Sequence, residues 1–445
     1  MSDTSVSLSN ATFSRRRFLQ KAGMALVAGA AFPTLIPARA LGKDGSVAPS
    51  NRLTMGVIGT GQGWSDLQGF LGHRDVQAVA VCDVDGNERR RVANAIDGRY
   101  RTKGTKVFAD FREMFDKANL DTVIVAPPDH WHAIIAIAAA RSGIDIYGEK
   151  PLAHTLVEGR AIVNAVKQHG RVWQTGSWQR SQHNFFRAAE LVRQGAIGKI
   201  SHVQVGTLGT QNGFAASLSS TPNHDRIGKP PSHIDYDFWV GPSAWMEYDP
   251  RFSRYHWRWI LNFGGGNLMD WVGHHVDIAH WALDFDDTGP AKISGTASYS
   301  TRKPWDAETT YHYQCTYANG QVIKVGSSYP SGTKFYGENG QWIYVDRGRL
   351  SASDSGILNI PPDPALPQLY RSQDHNRNFI DCVKNRGQTI THVESAHRSA
   401  SVGHLGHIAV KTGRTINWDP VSETIKDDPS ATAMLSPVYR APWVL

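Results

Sequence analysis

Leu53-Thr54-Met55-Gly56-Val57-Ile58-Gly59-Thr60-Gly61-Gln62-Gly63-Trp64 decides the fold. The first six residues are an apolar run suited to a strand buried on both faces, and the glycine cluster leads into a helix reaching about Leu71. A second apolar run, Val76 to Val81, ends in Cys82-Asp83-Val84-Asp85. A glycine-rich turn between strand and helix lets backbone N–H groups approach a pyrophosphate and sets it at the positive end of the helix. Asp83 lies 24 residues after Gly59, at the tip of the next strand, where a carboxylate accepts from the adenosine ribose hydroxyls. The expected cofactor contacts are Gly59, Thr60, Gly61, Gln62, Gly63, Trp64 and Asp83. The spacing departs from GxGxxG, because Trp64 stands where the third glycine would fall and Gly63 comes one place early. Asp83 would repel a 2′-phosphate, which favours NAD over NADP, although Arg89 and Arg90 stand near enough to keep NADP as the alternative.

Outward from this stretch the strand–helix alternation continues. Glu88–Ile96 reads as a helix, Lys106–Phe108 as a short strand, and Phe111–Ala118 as a helix. Asp121 to Ala126 is a buried strand ending in Pro127-Pro128-Asp129-His130-Trp131-His132. An apolar helix, Ala133 to Ser142, and the strand Ile144–Tyr147 follow, ending in Gly148-Glu149-Lys150-Pro151. A doubly wound parallel sheet places its ligands at the carboxyl ends of such strands. Pro127, Asp129, His130, His132, Glu149 and Lys150 therefore join the expected cofactor contacts.

The series GTGxG, CDV, APPDHWHA and YGEKPLAHT resembles the glucose–fructose oxidoreductase and inositol dehydrogenase (Gfo/Idh/MocA) family. The resemblance runs over most of residues 53–410, through Thr175-Gly176-Ser177-Trp178-Gln179-Arg180, Gly195-Ala196-Ile197-Gly198-Lys199-Ile200 and Gly264-Gly265-Gly266-Asn267-Leu268-Met269-Asp270. It implies an α/β protein: a Rossmann domain over 51–175, then an α+β domain over 176–420 with a large, mostly antiparallel open sheet, helices on one face. Residues 421–445 remain as a tail packed over the body or across a subunit boundary. Tyr311–Thr316, Lys324–Tyr329 and Gln341–Val345 read as strands of the second sheet. The resemblance also implies a homo-oligomer and a catalytic set of Lys150, Asp270 and His274.

Asn267 to Leu283 reads as a helix on which Asp270, His274 and Asp277, at i, i+4 and i+7, share a face. An imidazole beside a carboxylate suits removal of a hydroxyl proton while hydride leaves the same carbon. His274 is the expected general base, Asp270 its orienting partner or a ligand for a substrate hydroxyl, and Lys150 the group that holds the substrate oxygen. His274, His275, Asp277 and His280 raise a metal site as the other reading. Vicinal helical side chains point about 100° apart, so no metal is expected. Between Gly206 and Phe263 an aromatic-rich segment includes Tyr255-His256-Trp257-Arg258-Trp259. Aromatic faces beside arginine suit a sugar ring, and the same residues would also serve as loop packing. Lys150, Arg180, Tyr255, Arg258, Asp270 and His274 are the expected substrate contacts. Gln179 and Arg180 follow a strand end and are expected at the cofactor as well.

The formal charge of +7 over 445 residues comes largely from the N-terminus, where Arg15, Arg16, Arg17, Lys21 and Arg39 face one acid, Asp3. The remainder holds 42 basic against 39 acidic groups with no basic stripe, which argues against a nucleic-acid partner. Paired arginines, a mildly apolar stretch from Ala22 to Ile36 and Ala38-Arg39-Ala40 read as a twin-arginine signal peptide over residues 1–40. Its apolar run is too short for a permanent span of roughly 20 residues. A periplasmic or otherwise exported protein, handled folded by the twin-arginine machinery, is expected. Cys82, Cys315 and Cys382 lie far apart, in no CxxC pattern, and make no disulfide scaffold. Three readings follow: an exported sugar or polyol oxidoreductase with a tightly held, recycled NAD; an NAD-dependent glycoside hydrolase; and a non-enzymatic sugar-binding protein.

Overall fold

The structure is a computed structural model that describes residues 47–207, 227–252, 255–301 and 303–445. The expected signal peptide lies outside the described residues, and the fold is that of the unit Arg52–Leu445. Six parallel strands open it: β1 (Leu53–Ile58), β2 (Val76–Cys82), β3 (Lys106–Phe108), β4 (Thr122–Val125), β5 (Asp145–Gly148) and β6 (Trp173–Thr175). Their order is β3-β2-β1-β4-β5-β6. Winding reverses between β1 and β4, which pair directly, so the crevice outside their carboxyl ends is the switch point where such sheets bind ligands. β4 and β5 are buried on both faces, as strands covered by helices on both sides must be.

Nine strands make the second sheet: β7 (Ile200–Gly206), β8 (Lys292–Tyr299), β9 (Glu308–Thr316), β10 (Val322–Gly326), β11 (Gly332–Gly337), β12 (Trp342–Asp346), β13 (Arg349–Ala352), β14 (Ile416–Asp419) and β15 (Thr424–Ile425). The order is β13-β12-β11-β7-β10-β9-β8-β14-β15, with β7–β10 parallel and the other pairs antiparallel. β9 shows the two-residue period of a half-covered sheet: Tyr311, Tyr313 and Cys315 are buried while Thr310, His312 and Gln314 are exposed. The helices Gly266–Leu283 and Val393–Thr412 pack together over the covered face. The strand expected to reach Tyr329 ends at Gly326. There the chain turns so that Ser327 N–H donates back to the Tyr311 carbonyl (3.0 Å), and Pro330 has no N–H with which to extend the ladder.

Two late segments return to the first half. In the helix His375–Asn385, Phe379 and Ile380 enter the core that holds Met55, Leu67 and Phe70, with the Phe379 ring 5.9 Å from that of Phe70. Arg377 and Lys384 pair with Asp75, and Arg386 with Asp145. The tail packs over the body: Tyr439 Oη donates to Glu158 Oε1 (2.6 Å), and the Trp443 ring sits 4.7 Å from that of Trp131. Among the described residues no helix is long and apolar enough to cross a membrane.

Candidate active site

A cavity of about 1080 Å³ lies at the switch point and runs between the two sheets' helices and loops. At one end is the loop after β1. Gly59 has φ +81°, and a Cβ there would stand 2.5 Å from the Ala126 carbonyl oxygen, so only glycine fits. A Cβ at Gly61 would meet nothing within 4 Å, and the helix Gln62–Phe70 that begins there has no side-chain cap. Its first-turn N–H groups are thus left for an anion. Asp83 Oδ2 accepts from Thr60 N–H (2.7 Å) and Oγ1 (2.6 Å), and Oδ1 accepts from Asp85 N–H (2.9 Å). A carboxylate has about four acceptor sites, which leaves room for ribose hydroxyls. This cradle fits a dinucleotide: pyrophosphate over Gly61 and Gln62, ribose at Asp83.

At the other end, Lys150 Nζ donates to Asp270 Oδ1 (2.7 Å) and to the Asp270 carbonyl (2.9 Å). Burial pushes the Asp270 carboxyl up, but Lys150 and then Arg258 outweigh it and hold it below its usual range. One turn along, His274 is buried between Trp178 and Trp271, with ring centroids 6.1 and 5.7 Å away. Among the described residues its Nδ1 has no hydrogen-bond partner. Burial, with the charges of Lys150 and Arg347, holds its pKa well below 6.5, so the imidazole is neutral at pH 7. Arg258 lies over the rings of Tyr255 (4.3 Å) and Trp257 (4.5 Å), its Nε 3.8 Å from Asp270 Oδ1.

Several expected residues fall elsewhere. Gly63 is buried under the loop and Trp64 packs against the β1–β2 core; neither lines the cavity. Pro127, Asp129 and His132 line it, whereas His130 sits behind, its ring nitrogens 3.0 Å from the Trp239 carbonyl and 3.2 Å from that of Phe263, with burial pushing its pKa down to about 3. Arg180 does not reach cofactor or substrate space. It is buried on Asp277 (2.7 Å) and Asp286 (2.7 Å), because an enclosed guanidinium is stable only when its edges meet carboxylates. Gln179 is wholly buried and also off the cavity. Asp277 thus turns away from His274 to Arg180. His275 Nδ1 lies 2.7 Å from the Gly206 carbonyl, and His280 Nε2 2.6 Å from Tyr317 Oη. Among the described residues no three His, Cys, Asp or Glu side chains converge as metal ligands.

Arg347 and Trp178 line the cavity and had not been assigned a role. Arg347, in the turn between β12 and β13, lies over Trp178 (4.6 Å) and Trp271 (4.9 Å). A lone arginine in a turn carries no motif, but Trp178, directly after the β6 strand end, was a readable signal. Asp66 stands one helical turn after Gln62, whose amide donates to it (2.9 Å). Burial pushes Asp66 up to about 6, and burial together with Asp66 pushes Glu149 well above its usual range.

The comparisons with known proteins agree with this arrangement. Residues 53–177 match "Oxidoreductase family, NAD-binding Rossmann fold", and residues 184–445 match "Oxidoreductase family, C-terminal alpha/beta domain", the two Gfo/Idh/MocA modules. The chain belongs to the Gfo/Idh/MocA oxidoreductase family. It is 27% identical over 256 residues to an alpha-N-acetylgalactosaminidase of Tannerella forsythia, covering 52% of this chain and 51% of that protein. It is 39% identical over 175 residues to a levoglucosan dehydrogenase of Pseudarthrobacter phenanthrenivorans, covering 39% of this chain and 36% of that one. The chain thus spans about half the length, or less, of these curated relatives. In fold it is similar to the aldose-aldose oxidoreductase of Caulobacter crescentus, with a TM-score of 0.59 and 19% identity over 82% of this chain and 99% of that one. The first of these modules is an NAD-binding Rossmann domain, and the cradle at Gly59–Gln62 and Asp83 lies within it.

Proposed function

We propose that this Gfo/Idh/MocA protein is an exported enzyme that oxidises a secondary hydroxyl of a sugar or polyol and keeps its NAD bound between turnovers. The observation that carries the reading is the convergence of the Lys150–Asp270 pair and the neutral His274 on the cavity that the glycine loop enters. NAD, when bound, supplies the hydride acceptor. An ammonium has three N–H donors. Two of those on Lys150 meet Asp270, and the third is left for the substrate oxygen as negative charge develops on it. Asp270 fixes where Lys150 points. His274, uncharged, takes the hydroxyl proton, and positioned acid–base groups of this kind contribute about 10²–10⁴-fold. Half-buried Trp178 and Trp271, with the stacked Tyr255–Arg258 pair, supply faces for a pyranose ring.

Export is read from the twin-arginine pattern and fits a cofactor carried across already bound, with a second sugar re-oxidising it in the same cavity. The exposed face of the nine-stranded sheet is the proposed homo-oligomer contact. A second reading, NAD-dependent glycoside hydrolysis without net redox change, is favoured by the likeness to an alpha-N-acetylgalactosaminidase over 52% of the chain. The same lysine, aspartate and histidine serve it. The deciding experiment is to denature the purified protein and quantify released dinucleotide by mass, then assay paired-sugar transhydrogenation and nitrophenol release from aryl glycosides. Near-stoichiometric NAD with transhydrogenation supports the first reading, nitrophenol release supports the second, and an empty protein overturns cofactor retention.

A further inference from the structure

The Asp83 end of the cavity is bordered by a segment from the other half of the chain. Pro231, His233 and Ile234 line it opposite Asp83, Asp85 and Glu88. The contact is made by the main chain: Gly86 N–H donates to the His233 carbonyl (2.8 Å), Asp235 N–H donates to the Val84 carbonyl (3.2 Å), and Asp85 and Ile234 form an antiparallel bridge between them. The segment continues into the short helix Tyr236–Val240, capped by Asp235. The C-terminal tail pins that helix from outside. Arg440 donates to Asp237 Oδ1 (2.6 Å) and to the carbonyls of Asp237 and Gly241 (2.9 Å each), and the Trp443 ring lies 5.6 Å from that of Phe238. The fit beneath is close, since a Cβ on Gly241 would stand 2.1 Å from the Trp131 ring.

In a doubly wound sheet the adenosine ribose sits at the carboxylate on the β2 tip, and in an open crevice a dinucleotide leaves by diffusing outward. Here the way out from Asp83 is crossed by a strap whose bonds to Val84 and Gly86 must break together. We infer that Pro231, His233 and Ile234 complete the adenosine site, and that the Pro231–Val240 strap, pinned by Arg440 and Trp443, must lift from the Val84–Gly86 turn before NAD leaves. The inference rests on the NAD-binding fold and holds whichever sugar is the substrate.

The test uses the double variant Asp85→Cys/Ile234→Cys. The two positions form a pair without mutual hydrogen bonds, flanked by them, for which the Cα separation is about 4.5 Å, inside the disulfide range of about 4.4–6.8 Å. The variant is loaded with NADH, and release is followed by nicotinamide fluorescence after dilution into excess NAD. The oxidised form should release NADH at least about tenfold more slowly than the same preparation after reduction, a difference of about 1.4 kcal/mol. Trp443→Ala, with the loop intact, should release it faster than the unmodified protein. Equal rates in the two redox forms, an unchanged rate in Trp443→Ala, or failure of the disulfide to form would each overturn the inference. None of these readouts requires turnover, so an error in the proposed reaction leaves this test standing.

Discussion

Lys150 and Asp270 are joined twice: Nζ lies 2.7 Å from the carboxylate and 2.9 Å from the main-chain carbonyl of the same residue. The second bond ties the ammonium to the backbone of the helix Gly266–Leu283, so the lysine is aimed by the helix and not only by a side chain.

Lys150→Met should therefore lower kcat/KM by about 10²–10⁴-fold. It should also cost about 1–3 kcal/mol of stability, because Asp270 is left enclosed with its remaining ion-pair partner, Arg258, 3.8 Å away. Adding Asp270→Asn removes the stranded charge, so the double variant should regain Tm without regaining activity. Calorimetry and steady-state kinetics on the three proteins check this.

His274→Ala should suppress turnover while the dinucleotide still copurifies, since no expected cofactor contact is lost. Unchanged turnover would remove His274 from the role of base.

Arg347 acts on His274 by charge. Burial is the first cause of the lowered His274 pKa, and Lys150 and Arg347 lower it further. The base works when neutral, so activity falls as acid protonates it. Arg347→Leu removes one opposing charge, lets the His274 pKa rise, and should move the acid limb of the kcat/KM profile to higher pH. A limb that stays in place would show that Arg347 only packs on the tryptophans.

Two glycines of one loop should separate folding from binding. Gly59→Ala places a methyl against the Ala126 carbonyl at φ +81° and should lower both Tm and cofactor content. Gly61, at φ −66° with open space around it, should tolerate alanine in the fold and still lose dinucleotide affinity. Thermal melts beside titration calorimetry with NAD distinguish the two.

Arg160 bridges Glu394 (2.8 Å) and Glu423 (2.6 Å). Burial pushes both carboxyls up, but their bonds with Arg160, Lys167 and His397 outweigh it, holding Glu394 well below its usual range and Glu423 at about 2. A carboxyl depressed in the folded state stabilises it fully above the unfolded value near 4.5, and that contribution disappears as pH falls toward 2. Arg160→Met raises both values, so the midpoint of acid unfolding should move to higher pH.

Much of the first half was legible because a strand, a glycine turn and a tip carboxylate are local in sequence, as with Gly59 and Asp83. Asp270 and His274 were legible from the four-residue helical spacing. Arg180 was misread because its partners, Asp277 and Asp286, come from sequence far downstream, and nothing local separates a buried ion pair from a ligand contact. Arg347 and Trp443 were invisible for the same reason: a turn and a tail acquire meaning only from what they fold against. The upward shifts of Asp66 and Glu149 are a product of burial, which spacing does not report.

The return of the helix His375–Asn385 bears on how the chain matures. Met55, Leu67 and Phe70 belong to the cofactor-binding half, yet Phe379 and Ile380 finish their packing. On the ribosome, the sheet that holds NAD must wait with an apolar gap on its surface until residue 383 has emerged. A fragment cut after β6 would carry the whole glycine loop and an unfilled hole beside it, and would stick to its own kind before it could bind anything.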